Sequence, residues 1–432
     1  MKLMLDIKLI RENPDIVRAN LEKRGNSENL SMLDELIALD KQWRLNLTSL
    51  NDLRHIRKTI TVEIAKLKKT GQDAQAQFEK AKEIDVQITS IEKEVAQEEE
   101  RERDLLLRLP NILDPTVPLG EDDHGNVQVK TWGTIPVFNF QIKNHIDIAN
   151  ALGIVDMERA GKISGARFFF LKNQLALLDL ALMSFAMHEL SKKGYVAVEP
   201  PLMMNKKAYE GVTALADFAD VLYKIEDEDL YMIATSEHPM AAMYMDEVIT
   251  EQDLPIRLAG LSACFRKEAG AHGKDTRGIF RTHQFNKIEQ FIFCKPEDSA
   301  MLHEELLANA EDLLQKLELP YRVVSVCTGD IGTVAAKKYD IEAWMPAQND
   351  YREVVSCSNC TDYQARRLGI RYREKEGAPT KGFLHTLNST AIATGRTMVA
   401  LLENNQNEDG SINVPKALRK YMGDFEKIGK NQ

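Results

Sequence analysis

The chain has 432 residues, 44% hydrophobic and 28% charged, a balance typical of a globular protein with two or three domains. Its formal net charge of −10 argues against general affinity for nucleic acid, so a nucleic-acid binder of this composition must concentrate positive charge locally. No apolar run approaches the roughly 20 residues of a membrane span, and the amino terminus lacks a signal-peptide pattern. We therefore expect a cytoplasmic protein without membrane contact.

Two long helical tracts dominate the first quarter of the chain. Their apolar residues recur at a spacing of seven, which is the heptad of a coiled coil. A turn around Gly71 separates the tracts, so the pattern predicts an antiparallel helical hairpin over about 28–109 within an N-terminal domain of residues 1–110. The heptad residues are Leu36, Trp43, Leu50, Leu53, Ile60, Ile64, Leu67, Ile84, Ile88, Ile91, Val95, Leu105 and Leu109.

Basic residues gather on the first helix of this predicted hairpin. Charge on a coiled coil is ordinarily a solvated face, and that interpretation stays open here. A local basic surface for nucleic acid is the other interpretation, and it would offset the acidic total. The residues are Lys41, Arg44, Arg54, Arg57, Lys58, Lys66, Lys68 and Lys69.

The remainder of the chain mixes helices and strands. A stretch rich in proline and glycine predicts a linker over 111–135, ahead of a second domain over 136–432 whose last ten residues form a loose tail. A helical face is predicted over 174–193. Strands in succession without regular alternating helices favour an α+β fold with an antiparallel sheet. The predicted strands are 167–172, 256–265, 289–294, 321–326, 340–345, 353–358 and 382–387.

Most of the chemistry lies between Ala263 and Phe293. On a strand, Arg266 and Glu268 would project from one face and Lys267 from the other. A guanidinium clamps a carboxylate or phosphate, and a carboxylate accepts from an exocyclic amine, although a solvated ion pair is the alternative. The loop that follows carries glycines and further arginines, so the segment predicts an anion-binding, base-stacking hairpin.

A second chemical segment runs from Leu387 to Glu403. A turn of small residues leads into an apolar-periodic helix with Arg396 in its first turn. A cation at this end opposes the helix dipole, so Arg396 is a poor choice for stability. It makes sense if a phosphate also approaches the helix N-terminus.

These two segments closely resemble the second and third signature motifs of class II aminoacyl-tRNA synthetases, and the surrounding chain resembles the seryl-tRNA synthetases of that class. The resemblance implies an antiparallel-sheet catalytic domain preceded by a coiled-coil arm that contacts tRNA. It also implies activation of L-serine with ATP, and transfer of serine to tRNA(Ser) and, where present, to tRNA(Sec). Pro200 and Pro201 resemble the first motif, which implies a homodimer; a plain strand end is the alternative.

The resemblance also implies roles for single residues. It makes Arg266 and Arg396 the catalytic residues, which hold the α-phosphate and the γ-phosphate. It implies that Glu353 and Ser356 hold Mg²⁺ together with ATP, oxygen ligands of the kind that Mg²⁺ favours. The residues for L-serine would be Thr235, Ser236, Glu237, Arg266, Glu289, Asn388 and Thr390. The residues for ATP would be Arg266, Lys267, Glu268, Thr282, Phe285, Glu353, Val354, Val355, Ser356 and Arg396.

The five cysteines are an odd number, and none lies in the first 263 residues. Cys357 and Cys360 form a CxxC, which could be half of a zinc site, but no second pair completes it. We expect reduced thiols and no zinc.

Two alternatives to the seryl enzyme remain. The first is another class II synthetase, but the stretch after Arg396 is too short for the C-terminal anticodon-binding domain of the threonyl, prolyl, glycyl and histidyl enzymes. A non-catalytic paralogue that binds tRNA or protein would be expected to have lost charges at 266, 268, 289 or 396, and all four are present.

Overall fold

The computed structural model describes residues 7–213, 220–268 and 278–430. The chain divides into two compact units, Met1–Pro110 and Asn111–Gln432. Among the described residues, no helix combines the length and the apolar character needed to span a bilayer.

In its described part, the first unit contains only helices. The long pair forms an antiparallel hairpin, because Arg54 contacts Glu92 and Arg108 contacts Glu28. Asn26 caps the first long helix by accepting a hydrogen bond from the Glu28 backbone N–H at 2.9 Å. The helices are α1 (Ile7–Glu12), α2 (Pro14–Glu22), α3 (Ser27–Lys69) and α4 (Gln75–Arg108).

The heptad residues meet between the two long helices. Ile60 and Ile84 are buried in one cluster, against which Leu53, Ile64 and Ile88 pack. Each helix buries only a narrow apolar stripe, as the spacing of seven requires. The coiled-coil arm predicted from the sequence is confirmed.

The described residues of the second unit form an eight-stranded sheet in the order β1-β10-β11-β12-β15-β9-β8-β4. Neighbouring strands are antiparallel, except that β4 runs parallel to β8. The strands of this sheet are β1 (Val127–Trp132), β4 (Val196–Val198), β8 (Ile256–Phe265), β9 (Gln284–Cys294), β10 (Tyr321–Ser325), β11 (Lys337–Met345), β12 (Asp350–Asn359) and β15 (His385–Ala393).

Shorter strands and the remaining helices surround this sheet. The strands are β2 (Val155–Asp156), β3 (Phe170–Leu171), β5 (Met203–Met204), β6 (Tyr231–Met232), β7 (Val248–Thr250), β13 (Arg371–Arg373), β14 (Thr380–Phe383), β16 (Ile412–Asn413) and β17 (Lys427–Ile428). The helices are α5 (His145–Leu152), α6 (Met157–Ser164), α7 (Asn173–Lys192), α8 (Lys206–Val212), α9 (Glu237–Ala242), α10 (Ser299–Lys316), α11 (Tyr363–Arg367), α12 (Thr394–Asn404) and α13 (Lys416–Arg419).

The main core lies between the sheet and three helices, α7, α10 and α12. The predicted apolar face of α7 is buried there, including Leu178 and Phe185. The strand predictions over 256–265, 321–326 and 340–345 correspond to β8, β10 and β11. Those over 289–294 and 353–358 correspond to parts of β9 and β12. The antiparallel α+β fold is confirmed.

Four segments differ from the sequence-based prediction. The strand predicted over 382–387 is the end of β14 and the start of β15, and the one over 167–172 shrinks to Phe170–Leu171. Residues 111–135, predicted as a linker, fall in the second unit and contain β1, which pairs with β10. Prolines and glycines mark irregular backbone, and irregular backbone can still pack against a domain. The predicted tail over 423–432 contains β17, which pairs with β16; residues 431–432 lie outside the described part.

Candidate active site

A cavity of about 530 Å³ lies in the second unit, above the central strands of the sheet. β9, β11, β12 and β15 contribute residues to its lining, and the first turn of α12 contributes Gly395 and Arg396. Arg266 and Arg396, far apart in sequence, line this same cavity. The predicted site residues that line it are Thr235, Glu237, Arg266, Glu268, Thr282, Phe285, Glu289, Glu353, Val354, Ser356, Asn388, Thr390 and Arg396.

Arg396 is held by a carboxylate at the N-terminal end of α12. Its Nη1 donates to the backbone carbonyl of Glu353 at 2.9 Å and lies 3.2 Å from Glu353 Oε2. The Arg396 guanidinium carbon also lies 5.1 Å from the centre of the Phe280 ring. Glu353 therefore compensates the positive charge that opposes the helix dipole, and Phe280 supports the guanidinium.

Glu353 faces the cavity, and 47% of its side chain is accessible to solvent from within the cavity. Protein atoms surround this side chain on its other sides. Burial acts to raise the pKa of Glu353, but the Arg396 guanidinium and Lys338 lower it below its usual value. The carboxylate is therefore ionised at neutral pH. An ionised carboxylate that still has solvent access is suited to a divalent cation.

A β-bulge decides which residues of β12 reach the cavity. Ile341 pairs with Val355 and Glu342 pairs with Glu353, so Val354 is the extra residue in this strand. Regular alternation would send Glu353 and Ser356 to opposite faces, but the bulge resets it and both line the cavity. Val355 is buried in the hydrophobic core instead.

Arg266 and Glu268 both line the cavity, but they do not lie on a strand as the sequence predicts. β8 ends at Phe265, and Glu268 has a φ of 50°. Strand alternation is therefore not the reason that both side chains line the cavity. A turn brings Glu268 there, where its carboxylate forms an ion pair with Arg281 and its carbonyl accepts from Arg167 Nη1 at 2.9 Å. The Arg266 guanidinium carbon lies 5.3 Å from the Phe285 ring centre.

The deepest part of the cavity contains two carboxylates and one ammonium group. Lys287 Nζ lies 2.5 Å from Glu289 Oε2, and both side chains are almost completely buried. Thr390 Oγ1 lies 3.4 Å from the same oxygen. Burial raises the pKa of Glu289, an effect that Lys287 only partly offsets.

Glu237 is the second carboxylate, and its hydrogen-bond donors are amides. Asn388 Nδ2 donates to its Oε1 at 3.1 Å, and Gln364 Nε2 donates to the same atom at 3.2 Å. Burial and the nearby Glu289 raise the pKa of Glu237 to about 7. This corner therefore has more negative than positive charge, which suits a ligand that carries an ammonium group.

Three predicted site residues are not among those that line the cavity in the described part of the chain. Ser236 is fully buried, and its Oγ donates to the Gly260 carbonyl at 3.3 Å. A β-carbon at Gly260 would lie 2.7 Å from the end of the Met240 side chain and 3.0 Å from the Ser236 β-carbon, so a larger residue there would have to displace both. The Lys267 side chain is exposed, and Val355 lies in the core because of the bulge.

Other lining residues carried no recognisable sequence signal. Gln364 on α11 is buried and is not a lining residue itself, but it donates to Glu237, which is one, and nothing in the sequence marks it. Lys338, Phe280 and the segment 331–335 also line the cavity. Their positions depend on pairings between distant strands, which the sequence pattern does not specify.

The cysteines of the CxxC motif face different surroundings. Cys357 lies in the hydrophobic core, whereas Cys360 lines the cavity, where its Sγ lies 3.4 Å from Asn388 Nδ2. Burial raises the pKa of both thiols, which keeps them protonated. Among the described residues, one group of three side chains has its possible ligand atoms close enough for a metal ion, the exposed Asp122, Asp123 and His124.

Comparisons with known proteins converge on one family. Residues 4–113 match the family model described as the seryl-tRNA synthetase N-terminal domain. Residues 223–405 match the model of the class II tRNA synthetase core domain for G, H, P, S and T. The chain is 56% identical to a serine–tRNA ligase of Methanospirillum hungatei over 423 residues, which is 98% of this chain and 100% of that protein.

Solved structures agree with these sequence matches. The crystal structure of seryl-tRNA synthetase from Pyrococcus horikoshii complexed with ATP has a TM-score of 0.94 to this chain at 49% identity, and the match covers 99% of this chain and 100% of that chain. The structure of cytoplasmic serine–tRNA ligase from Naegleria fowleri in complex with AMP has a TM-score of 0.88 at 37% identity, with 99% of each chain covered. These similarities span both units.

Proposed function

The chain belongs to the seryl-tRNA synthetase family, and from that premise we propose that it is a serine–tRNA ligase that activates L-serine with ATP. In the first step, a serine carboxylate oxygen bonds to the α-phosphorus of ATP, and diphosphate leaves as the α–β bridging bond breaks. The product of this step is seryl-adenylate. In the second step, a hydroxyl of the 3′-terminal ribose of tRNA(Ser) bonds to the carbonyl carbon of seryl-adenylate, the bond from that carbon to the AMP oxygen breaks, and AMP and a proton are released. Where tRNA(Sec) is present, it is a further acceptor.

One observation carries this proposal. Arg266 and Arg396 line one cavity, so two fixed positive charges can hold one triphosphate. This chemistry depends on positioning and charge neutralisation more than on a nucleophilic side chain. We assign the α-phosphate to Arg266 and the γ-phosphate to Arg396. Glu268, Thr282 and Phe285, which line the same cavity, receive the adenine end.

Mg²⁺ would be held with ATP by Glu353 and Ser356. The bulge in β12 turns both side chains toward the cavity, and Arg396 keeps the Glu353 carboxylate ionised. When bound, Mg²⁺ would neutralise phosphate charge. Arg396 would then exchange part of its contact with Glu353 for the nucleotide.

L-Serine would occupy the acidic corner. Its ammonium group would lie near Glu237 and Glu289, and its hydroxyl would meet hydrogen-bonding groups such as Thr390 and Asn388. A site that hydrogen-bonds a substrate hydroxyl rejects the analogue that lacks it, because buried partners are left unpaired. Alanine should therefore be a poor substrate.

The helical arm is the proposed tRNA-binding element. Arg54 and Arg57 of α3 form ion pairs with Glu92 and Asp85 of α4, so their charge is already compensated. In the described part of the arm, other basic side chains have no ion-pair partner and are exposed. They are Lys41, Lys58, Lys66, Lys68 and Lys69 on α3 and Lys80, Lys82, Lys93 and Arg103 on α4. Five of them, Lys66, Lys68, Lys69, Lys80 and Lys82, lie close to the turn between the helices, and we assign tRNA contact to this end.

We also propose a homodimer in the cytoplasm. The helix and strand that lead to Pro200 and Pro201 expose apolar side chains, among them Leu180 on α7 at 57% and Val196 on β4 at 60%. β4 is also an edge strand of the described sheet. Exposed apolar residues beside an open strand edge favour pairing with a second copy.

Serine-dependent exchange of pyrophosphate into ATP, followed by charging of tRNA(Ser), tests the proposed activity. Wild-type protein should catalyse both, and Arg396→Ala should slow exchange by about 10²- to 10³-fold. Arg352→Ala is the matched control, because Arg352 lies 4.7 Å from the same Phe280 ring but is not among the described residues that line the cavity. Absence of exchange in wild type would indicate a binding protein, and exchange with another amino acid would indicate a different synthetase.

A further inference from the structure

Asn111 is the first residue of the second unit, and it is fully buried. Its side-chain Nδ2 donates to the carbonyl oxygen of Val334 at 2.9 Å and to that of Cys360 at 2.8 Å. Its backbone N–H donates to the carbonyl oxygen of Thr333 at 2.8 Å. One buried residue therefore joins two segments that are distant in sequence.

Both of these segments form walls of the candidate active site. Thr333 and Val334 belong to the segment 331–335, every residue of which lines the cavity. Cys360, which directly follows β12, lines it as well. Asn111 does not line the cavity, so it can act on a substrate only through these neighbours.

A chain of contacts continues from Cys360 to the acidic corner. Asn388 Nδ2 lies 3.4 Å from Cys360 Sγ and donates to Glu237 Oε1 at 3.1 Å. A shift of the Cys360 backbone would therefore disturb the amide that orients Glu237. The contacts at the other end of the cavity, between Arg396 and Glu353, do not involve Asn111.

We propose that Asn111 is a positioning residue that sets the geometry of the amino-acid end of the cavity. It fixes the segment 331–335 against Cys360 and so fixes Asn388 and Glu237. The inference rests on the proposed function, because Glu237 and Asn388 are there assigned to L-serine. Loss of the Asn111 amide should impair the use of serine and leave the use of ATP almost unchanged.

Asn126 provides a matched control from the same region. Its Oδ1 accepts from the Cys327 backbone N–H at 2.9 Å, and its Nδ2 donates to Asp330 Oδ2 at 2.9 Å. It therefore anchors the segment just before 331–335 with two side-chain hydrogen bonds of its own. Cys327 and Asp330 are not among the described residues that line the cavity. A general loss of loop stability would appear in both variants, whereas loss of serine positioning would appear only at Asn111.

The experiment measures pyrophosphate exchange by the full chain at varied serine and varied ATP. For Asn111→Ala we expect the serine KM to rise about 10- to 100-fold, the effect of a small misplacement of a binding group. The ATP KM should change less than about threefold, and Asn126→Ala should change neither KM by more than that. Asn111→Asp, which keeps the size but offers at most one donor hydrogen, should lie between wild type and Asn111→Ala.

Several outcomes would overturn the inference. Equal rises in the serine and ATP KM values, or an equal serine effect in Asn126→Ala, would show that Asn111 is only structural. If Asn111→Ala does not fold, an unchanged serine KM in a folded Asn111→Asp would also overturn it. Failure of wild type to catalyse serine-dependent exchange would instead contradict the proposed function, so the two failures are distinguishable.

Discussion

The helical arm and the cavity use the same charged residue types under opposite conditions. In the arm, Arg57 pairs with Asp85 where water surrounds both side chains, with 33% and 53% of them accessible. In the cavity, Lys287 pairs with Glu289 where the accessible fractions are 7% and 2%. Water screens the first pair, so the helices do not depend on it. The second pair has lost its hydration, so each partner depends on the other.

Removal of one partner from each pair tests this difference most strongly. Lys287→Met leaves Glu289 buried without its cation and should lower the free energy of unfolding by about 3–5 kcal/mol. Arg57→Met leaves Asp85 in water and should cost far less. Urea unfolding measured by tryptophan fluorescence in a Trp43→Phe background follows the second unit, because Trp132 and Trp344 lie there. Circular dichroism follows the helices of both units, so unfolding of the arm is the part of that signal that the fluorescence does not share.

The Lys287 penalty should also depend on pH. The pKa of Glu289 is already raised by burial, and loss of Lys287 would raise it further. The carboxyl then takes up a proton at lower pH and no longer carries an unpaired charge. The loss from Lys287→Met should therefore shrink as pH falls from 8 to 5. Equal losses in the two variants, or a penalty independent of pH, would contradict the contrast between buried and exposed pairs.

The arm contains its own contrast between paired and unpaired charges. Replacement of Lys58, Lys66 and Lys69 by Gln should raise the KM for tRNA about 10-fold, because each lost contact between a lysine and a phosphate weakens the binding of tRNA. Serine-dependent pyrophosphate exchange without tRNA should be unchanged. The measurement is charging of tRNA(Ser) at two salt concentrations, and the salt dependence should weaken in the variant.

Replacement of Arg54 and Arg57 by Gln is the control for that experiment. These side chains are already paired across the hairpin, so their loss should change the KM for tRNA less than about threefold. If the paired arginines matter as much as the lysines, the assignment of tRNA contact to the unpaired lysines is wrong.

The smallest effect is the pH dependence of serine use. Glu237, whose pKa is raised to about 7 by burial and by Glu289, is mostly protonated below that pH. A serine ammonium group favours the ionised form, so binding is strongest above pH 7 and is lost as pH falls through it. The serine KM should rise about fivefold between pH 7 and 6, because the ionised fraction of Glu237 falls from about one half to about one tenth. Steady-state exchange kinetics across this range measure it.

Glu237→Gln separates this carboxyl from other titrating groups. The variant should have a higher serine KM at pH 8 and a nearly flat profile between pH 8 and 6. His238, the adjacent residue, does not titrate there, since burial lowers its pKa to about 3. A profile in Glu237→Gln as steep as in wild type would assign the dependence to Glu289 or to the substrate.

Local sequence patterns predicted the elements that depend on short-range order. The heptads over 28–109 predicted the hairpin, and the strand-like segment 256–265 predicted β8. Most of the residues that motif resemblance selected line the cavity. Strand alternation alone failed at Glu353 and Ser356, because a bulge changes the facing of residues and leaves no clear trace in composition. It failed at Glu268 because the strand had already ended.

The sequence by itself determined the family, the helical arm and the two arginines on which the proposed chemistry rests. Each of these depends on a motif or a spacing among residues that lie close together along the chain. Only the tertiary structure decided that Arg54 and Arg57 are neutralised across the hairpin, that Gln364 reaches Glu237, and that Asn111 joins two walls of the cavity. These contacts join residues far apart in sequence. Their existence depends on strand register and burial, which a pattern of neighbouring residues does not specify.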